Sequence, residues 1–212
     1  MSKKRPVSPR KSPKQERSQG LVNTIVTAAT RVLTKGGYEN ATTNRVAETA
    51  GVSIGSLYQY FPNKEALIGA VIDRIVAANV RRIERELGKL QGQPIEVALR
   101  LVIKMAGEIY LGNRPLFRVM FVQAPRLERM QNILRARRHV ASLLSTLLEG
   151  YGIHPKNREL TMFVLMNSAL GVIQTAAFDL PEGIKDDELI EEVVRLAQGY
   201  LNELKVTAAK SP

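Results

Sequence analysis

The 212-residue chain contains no cysteine and only two histidines, His139 and His154. The first absence excludes disulfides, thiolate metal sites and cysteine nucleophiles, and it is compatible with a cytoplasmic protein. The second leaves little from which to build a metal or catalytic centre, so neither a metal nor a cofactor is expected. No run approaches the ~18 apolar residues that a membrane span needs, and no membrane partner is expected. The N-terminus is basic but lacks the apolar stretch of a secretory signal. No alternating stretch argues for a strand. Catalytic letter patterns are missing too: there is no phosphate-binding loop ending in Gly-Lys-Ser/Thr, no His-Glu-x-x-His and no compelling carboxylate pair. Gly51-Val52-Ser53-Ile54-Gly55 matches Gly-x-Ser-x-Gly as letters. It follows a helix rather than a strand, and neither acids nor histidines are placed to serve it. An enzyme is not expected.

What the chain has in quantity is positive charge, and that charge is uneven. The net charge is +11, and residues 1–64 hold 11 Lys/Arg against 3 Asp/Glu. A basic end joined to a near-neutral body is the electrostatic footprint of a nucleic-acid binder, although a basic tail on an unrelated fold has the same footprint. The first 17 residues carry seven of the basic side chains, three prolines and three serines, with Val7 as the one aliphatic side chain beyond Met1. Such a segment buries too little apolar surface to offset its ordering entropy, so residues 1–17 are expected to form a disordered arm. The arm either follows DNA phosphates or merely solubilises the chain.

With 44% hydrophobic residues there is ample material for a core. Leu21, Ile25, Ala28, Ala29 and Val32 fall at helical spacing, and Gly36-Gly37 ends that helix. Further helices are expected at 64–87, 94–111, 114–123, 126–150, 157–178 and 186–204. The breaks include Gly112, Pro125, Gly150-Tyr151-Gly152 and Pro181-Glu182-Gly183. Pro94 and Pro155 suit first turns, where a missing N–H costs little. The expected class is all-α with about nine helices: an arm at 1–17, a DNA-binding unit at 18–64 and a helical body at 65–212.

The segment 42–61, TTNRVAETAGVSIGSLYQYF, carries the function. Thr42 can cap one short helix through Ala50, and Ser53 a second through Tyr60. Gly51 sits where the chain must turn sharply, with positive φ expected. Two short helices joined by a three-residue turn form a helix-turn-helix. Val46, Ala50, Val52, Leu57 and Phe61 supply a buried side, and small Ala47 suits the close crossing. The other side exposes polar, hydroxyl and aromatic groups suited to phosphates and base edges.

From Gln19 to Leu67 the chain resembles the DNA-binding domain of the tetracycline-repressor (TetR) family. The likeness lies in AATRVLTKGGYENATTNRVAETAGVSIGSLYQYFPNKEAL, an ordered and specific combination. The resemblance implies a homodimer whose recognition helices enter successive major grooves of a near-palindromic double-stranded operator. It implies contacts from Thr43 and Asn44 at the second helix, and from Ile54, Gly55, Ser56, Tyr58, Gln59 and Tyr60 on the recognition helix. It also gives Lys64, opening the fourth helix, a phosphate contact. Gly55, without a side chain, lets backbone approach DNA closely. Gln59 is either a reader of adenine or a water-facing amide. Repression is the family's usual outcome.

Beyond residue 64 the resemblance implies that helices 157–178 and 186–204 pair with their symmetry mates, and packing within one subunit is the alternative. Ala176 and Leu196 are the positions expected to test this seam. Family members also hold an apolar effector in the body. Met105, Tyr110, Phe117, Met120, Phe121, Met162, Phe163, Met166 and Gln174 are the candidates here, against their being plain core. An architectural DNA binder that ignores sequence is the alternative to a regulator.

Overall fold

The computed structural model describes residues 16–90 and 92–209, most of them helical, with nine helices and no strand among them. The expected arm falls almost wholly outside the described residues; Glu16 and Arg17 already belong to α1 (Glu16–Asn40). In α1 the apolar stripe turns inward: Ile25, Val26, Ala28, Ala29, Val32 and Leu33 are all buried. At Gly37 the backbone leaves the helix (φ 68, ψ −174), so the expected Gly36-Gly37 break is a kink followed by one more turn.

Next come α2 (Thr43–Ala50), α3 (Ile54–Tyr60) and α4 (Lys64–Leu87). Val46, Leu57, Phe61, Leu67, Ile68 and Val71 close a core against Ile25 and Leu33 of α1. Polar groups lock the same helices. The Arg74 guanidinium on α4 donates to Thr27 Oγ1 and Thr30 Oγ1, each at 2.9 Å, and to the Asn23 carbonyl at 3.3 Å. Burial lowers the pKa of Arg74, yet guanidinium stays cationic in proteins.

The described residues divide into two units, and the division is not a single cut. Among them, the first contains 16–77 with 115–134, and the second contains those of 78–114 with 135–209. The expected body at 65–212 thus loses most of α6 (Arg114–Arg126) to the N-terminal unit. Ala124 and Leu127 join that unit's core, and Leu116, Val119, Met120 and Ile133 pack on it. Asp73 of α4 fastens the turn that follows, pairing with Arg129 Nε at 3.0 Å and accepting from Asn132 Nδ2 at 2.8 Å. Pro125, expected to break the chain, lies inside the last turn of α6. So near the helix end its missing N–H removes one bond only, and the chain closes with Arg129 N–H on Ala124 O at 2.8 Å. α7 (Met130–Gly150) accordingly starts later than 126.

In the second unit α5 (Ile95–Tyr110), α8 (Arg158–Phe178) and α9 (Asp186–Ala209) pack on one another. Pro94 stands at the N-cap of α5 rather than inside its first turn. Pro155 lies in the loop before α8, which Asn157 caps by accepting from Leu160 N–H at 3.0 Å. Leu148, Ile153, Met162 and Leu201 form a small core there. Arg100 pairs with Glu191, and Arg114 with Asp186 at 3.0 Å. One sequence expectation fails at α8. Its mean hydropathy of 1.5 over 18 residues makes it long and apolar enough, by composition, to cross a bilayer, and a third of that window is buried. The apolar character is spread around the helix: Thr161, Met162, Ile173, Ala176 and Ala177 face inward, whereas Leu160, Phe163, Val164, Val172 and Phe178 face out.

Candidate nucleic-acid interface

The geometry of α2 and α3 follows from three local choices in the sequence. Thr42, in extended conformation, accepts the Arg45 N–H at 3.3 Å and starts α2. Gly51 ends it in the left-handed region (φ 66, ψ 31), its own N–H reaching Glu48 O at 3.1 Å while Val52 N–H reaches Ala47 O at 3.0 Å. Ser53 starts α3 two residues later, accepting the Ser56 N–H at 3.1 Å. Ala47 is buried, small enough for the chain to fold back over it.

Once α3 is aimed this way, Leu57 points into the core, Tyr60 packs on its edge, and Ile54, Gly55, Tyr58 and Gln59 point out. Ile54 and Tyr58 are 38% and 42% exposed, high for large apolar or aromatic side chains that the core had every chance to recruit. Asn44, Gly55 and Gln59 are also exposed. Gly55 is informative because no intramolecular packing requires a glycine there. A β-carbon would meet nothing closer than Ser53 Oγ at 3.9 Å, and its φ is not positive.

The nine residues expected at the interface are not equivalent. The Thr43 and Tyr58 hydroxyls lie 3.1 Å apart, joining the start of α2 to the middle of α3. The Ser56 hydroxyl bonds Ser53 Oγ at 2.8 Å, so it helps to hold the cap. Tyr60 is half-buried and packs on the core. Lys64 opens α4, where Asn63 Oδ1 accepts the Ala66 N–H at 2.8 Å. Its ammonium sits 3.9 Å from the ring centroid of Tyr38 and donates to the Glu39 carbonyl at 3.5 Å. Tyr38 is the residue the sequence reading missed. It stands there only as a letter of the stretch GGYEN ahead of the motif, and its partner lies 26 positions later.

The nine residues expected at an effector site do not share one unit. Phe117, Met120 and Phe121 belong to the N-terminal unit, where Met120 packs on the core and Phe117 and Phe121 form a tilted pair 5.9 Å apart. Met105, Tyr110, Met162, Phe163, Met166 and Gln174 belong to the other. Met105 and Met162 are buried and Met166 packs beside Met162, but Phe163 is 66% exposed on the outer side of α8. The assumption of one body after residue 64 is what grouped them.

Residues 25–71 match the family "Bacterial regulatory proteins, tetR family", and residues 94–201 match "Tetracyclin repressor-like, C-terminal domain". The fatty acid metabolism regulator protein of Bacillus subtilis is 30% identical over 63 residues, which is 30% of this chain and 32% of that protein. The chain thus matches about a third of the length of that curated relative. A TetR-family transcriptional regulator from Streptomyces coelicolor superposes with a TM-score of 0.62 at 26% identity, covering 88% of this chain and 98% of the other. The transcriptional regulator FadR from Bacillus subtilis, solved in complex with stearoyl-CoA, has a TM-score of 0.62 at 20% identity, covering 86% and 96%. Together with the capped α2–turn–α3 unit, these matches make the chain a member of the TetR family of DNA-binding transcription regulators.

Proposed function

We propose that the protein is a dimeric repressor that binds a near-palindromic operator and leaves it when a mostly apolar small molecule binds the second unit. The observation that carries the reading is the outward face of α3. Ile54, Gly55, Tyr58 and Gln59 are exposed, as is Asn44 of α2, while buried Leu57 and half-buried Tyr60 secure the helix to the core. In this reading Thr43, Asn44 and Lys64 hold phosphates and Gln59 reads a base through its two-pronged amide. Ser56 and Tyr60 contribute from the edges of the same face. Two copies of the chain place two such faces on DNA, with half-site centres about 34–36 Å apart or a multiple of it. The outward side of α8, with Leu160, Phe163, Val164, Val172 and Phe178, and Leu196 of α9 at 53% exposure, supply an apolar seam for the second copy. The effector reading rests on Met105, Met162 and Met166 as adaptable walls, with Tyr110 and Gln174 as polar groups in the same unit, and on the acyl thioester held by FadR. A hundredfold release takes about 2.7 kcal/mol of coupling, and DNA must weaken the ligand by the same factor. DNA recognition and the absence of cysteine together favour the cytoplasm.

The test is selection of bound duplexes from a random pool. A recovered inverted repeat, with Gln59→Ala relaxing one base position in each half-site by about 1–3 kcal/mol, is the expected outcome. Recovery of unrelated sequences, or a Gln59→Ala protein weakened equally on all of them, sinks the operator-specific reading and leaves an architectural binder.

A further inference from the structure

The position of Lys64 is electrostatically awkward. It is the first residue of α4, a 24-residue helix, where the unpaired N–H groups and the macrodipole disfavour a cation and favour an anion. A free lysine there is expected to swing its four-carbon stem into water. Instead the ammonium lies 3.9 Å from the centroid of the Tyr38 ring and 3.5 Å from the Glu39 carbonyl. The backbone puts the ring there on purpose of geometry alone: Gly37 adopts φ 68, turning the chain out of α1, and Ala41 N–H bonds Tyr38 O at 3.1 Å to close the next turn. Tyr38 is half-buried against the unit's core, which fixes the plane of its ring. Burial first, and then Glu65 and Glu39, raise the Tyr38 pKa, so the partner of the ammonium is a neutral π face rather than a phenolate.

We infer that Tyr38 is a positioning residue for DNA binding: its ring holds the Lys64 ammonium at the N-terminus of α4, ready to meet a backbone phosphate. A lysine stem carries considerable rotamer freedom, and a contact made by a side chain already held in place loses less of it on binding. The π face achieves this without consuming the charge, because a carboxylate partner would neutralise the ammonium that the phosphate needs. A phosphate arriving here meets the ammonium and the first N–H groups of α4 together. The inference rests on the reading of Lys64 as a phosphate contact, and the experiment separates the two.

The probe is a duplex that the full-length protein itself selects from a random pool, titrated over a range of salt with the unmodified protein, Lys64→Ala, Tyr38→Phe, Tyr38→Leu and Tyr38→Leu/Lys64→Ala. Lys64→Ala is expected to lower the slope of log affinity against log salt by about 0.9 per subunit. Tyr38→Phe keeps the ring and is expected to bind like the unmodified protein. Tyr38→Leu keeps apolar bulk and is expected to weaken binding about two- to fivefold per subunit, with no further loss once Lys64 is already alanine. Ring-current-shifted resonances of the Lys64 methylenes, present in the unmodified protein and Tyr38→Phe, are expected to vanish in Tyr38→Leu. If Lys64→Ala leaves the salt slope unchanged, the phosphate reading of Lys64 fails and the inference fails with it. If the slope falls but Tyr38→Leu is equally damaging with and without Lys64, Tyr38 acts through the fold and only the inference is overturned.

Discussion

The turn between α2 and α3 and the outer side of α8 are the two places where this protein is expected to meet other molecules, and they are encoded differently. The turn is specified locally. Two cap residues and one glycine, all within 12 positions, determine where α3 points, and each bond involved spans three to five residues. The side of α8 that faces out is specified at a distance. The helix is apolar nearly all round, so its own sequence does not say whether Met162 or Phe163 is inside; packing with α5 and α9 decides that. A locally encoded surface shows in the sequence, and a remotely encoded one shows only in the fold.

The largest effect expected on this comparison comes from placing a charge on each side of the α8–α9 layer. Ala176 is buried within one chain, contrary to the expectation that it lies in the seam between copies, whereas Leu196 is 53% exposed. Ala176→Arg therefore buries an unpaired guanidinium in the unit's own core. A loss of about 3–5 kcal/mol is expected, visible in thermal melting followed by circular dichroism. Leu196→Arg is expected to leave each chain folded and to convert dimers into monomers, read by light scattering. A Leu196→Arg protein that remains a dimer moves the interface off this surface, and an Ala176→Arg protein with unchanged melting refutes the inward assignment.

The next effect sharpens the local side of the comparison. Gly51 adopts φ 66, and a β-carbon there would find open space, so the penalty for a side chain is purely conformational. Gly51→Val is expected to cost about 1–3 kcal/mol and to abolish specific DNA binding, while the second unit stays folded. Gly51→Asn is expected to bind within a few-fold of the unmodified protein, because asparagine tolerates the left-handed region. Equal loss in both variants, measured by fluorescence anisotropy on a selected duplex, would show that something other than φ makes glycine necessary.

The same distinction explains which features were legible from sequence. Thr42, Gly51 and Ser53 could be assigned their roles because cap and turn chemistry operates between near neighbours. The inward Val46, Leu57 and Phe61 followed from helical spacing. The pairing of Tyr38 with Lys64 was not legible, because no short-range rule links an aromatic after a glycine kink to a lysine 26 residues away. Nor was the capture of residues 115–134 by the N-terminal unit, where Ala124 and Leu127 enter a core laid down by α1–α4 and Asp73 meets Arg129 and Asn132 across nearly 60 positions. Pro125 misled for a related reason. A proline breaks a helix interior, but in the last turn its cost is one hydrogen bond, and only the structure shows where that turn falls.

The smallest expected effect separates two duties of one residue. Ser53 caps α3, a helix of only seven residues, too short to persist without its cap and its tertiary contacts. Its hydroxyl accepts the Ser56 N–H at 3.1 Å and bonds the Ser56 hydroxyl at 2.8 Å, and the residue is exposed on the surface that is to face DNA. Ser53→Ala removes the acceptor and is expected to cost about 1 kcal/mol of stability, with DNA binding weakened a few-fold on every sequence and no change of preference. Ser53→Asn restores the acceptor and is expected to recover both. Ser53→Asp restores it as well, and the carboxylate also suits the helix dipole, so melting is expected to recover fully. Its negative charge nevertheless stands where phosphates must approach, so DNA binding is expected to fall below that of Ser53→Ala, most strongly at low salt. Stability and binding then move in opposite directions at a single position. Should Ser53→Asp bind DNA as well as Ser53→Asn at low salt, this end of α3 lies away from the phosphates, and the recognition surface must be turned toward Gln59.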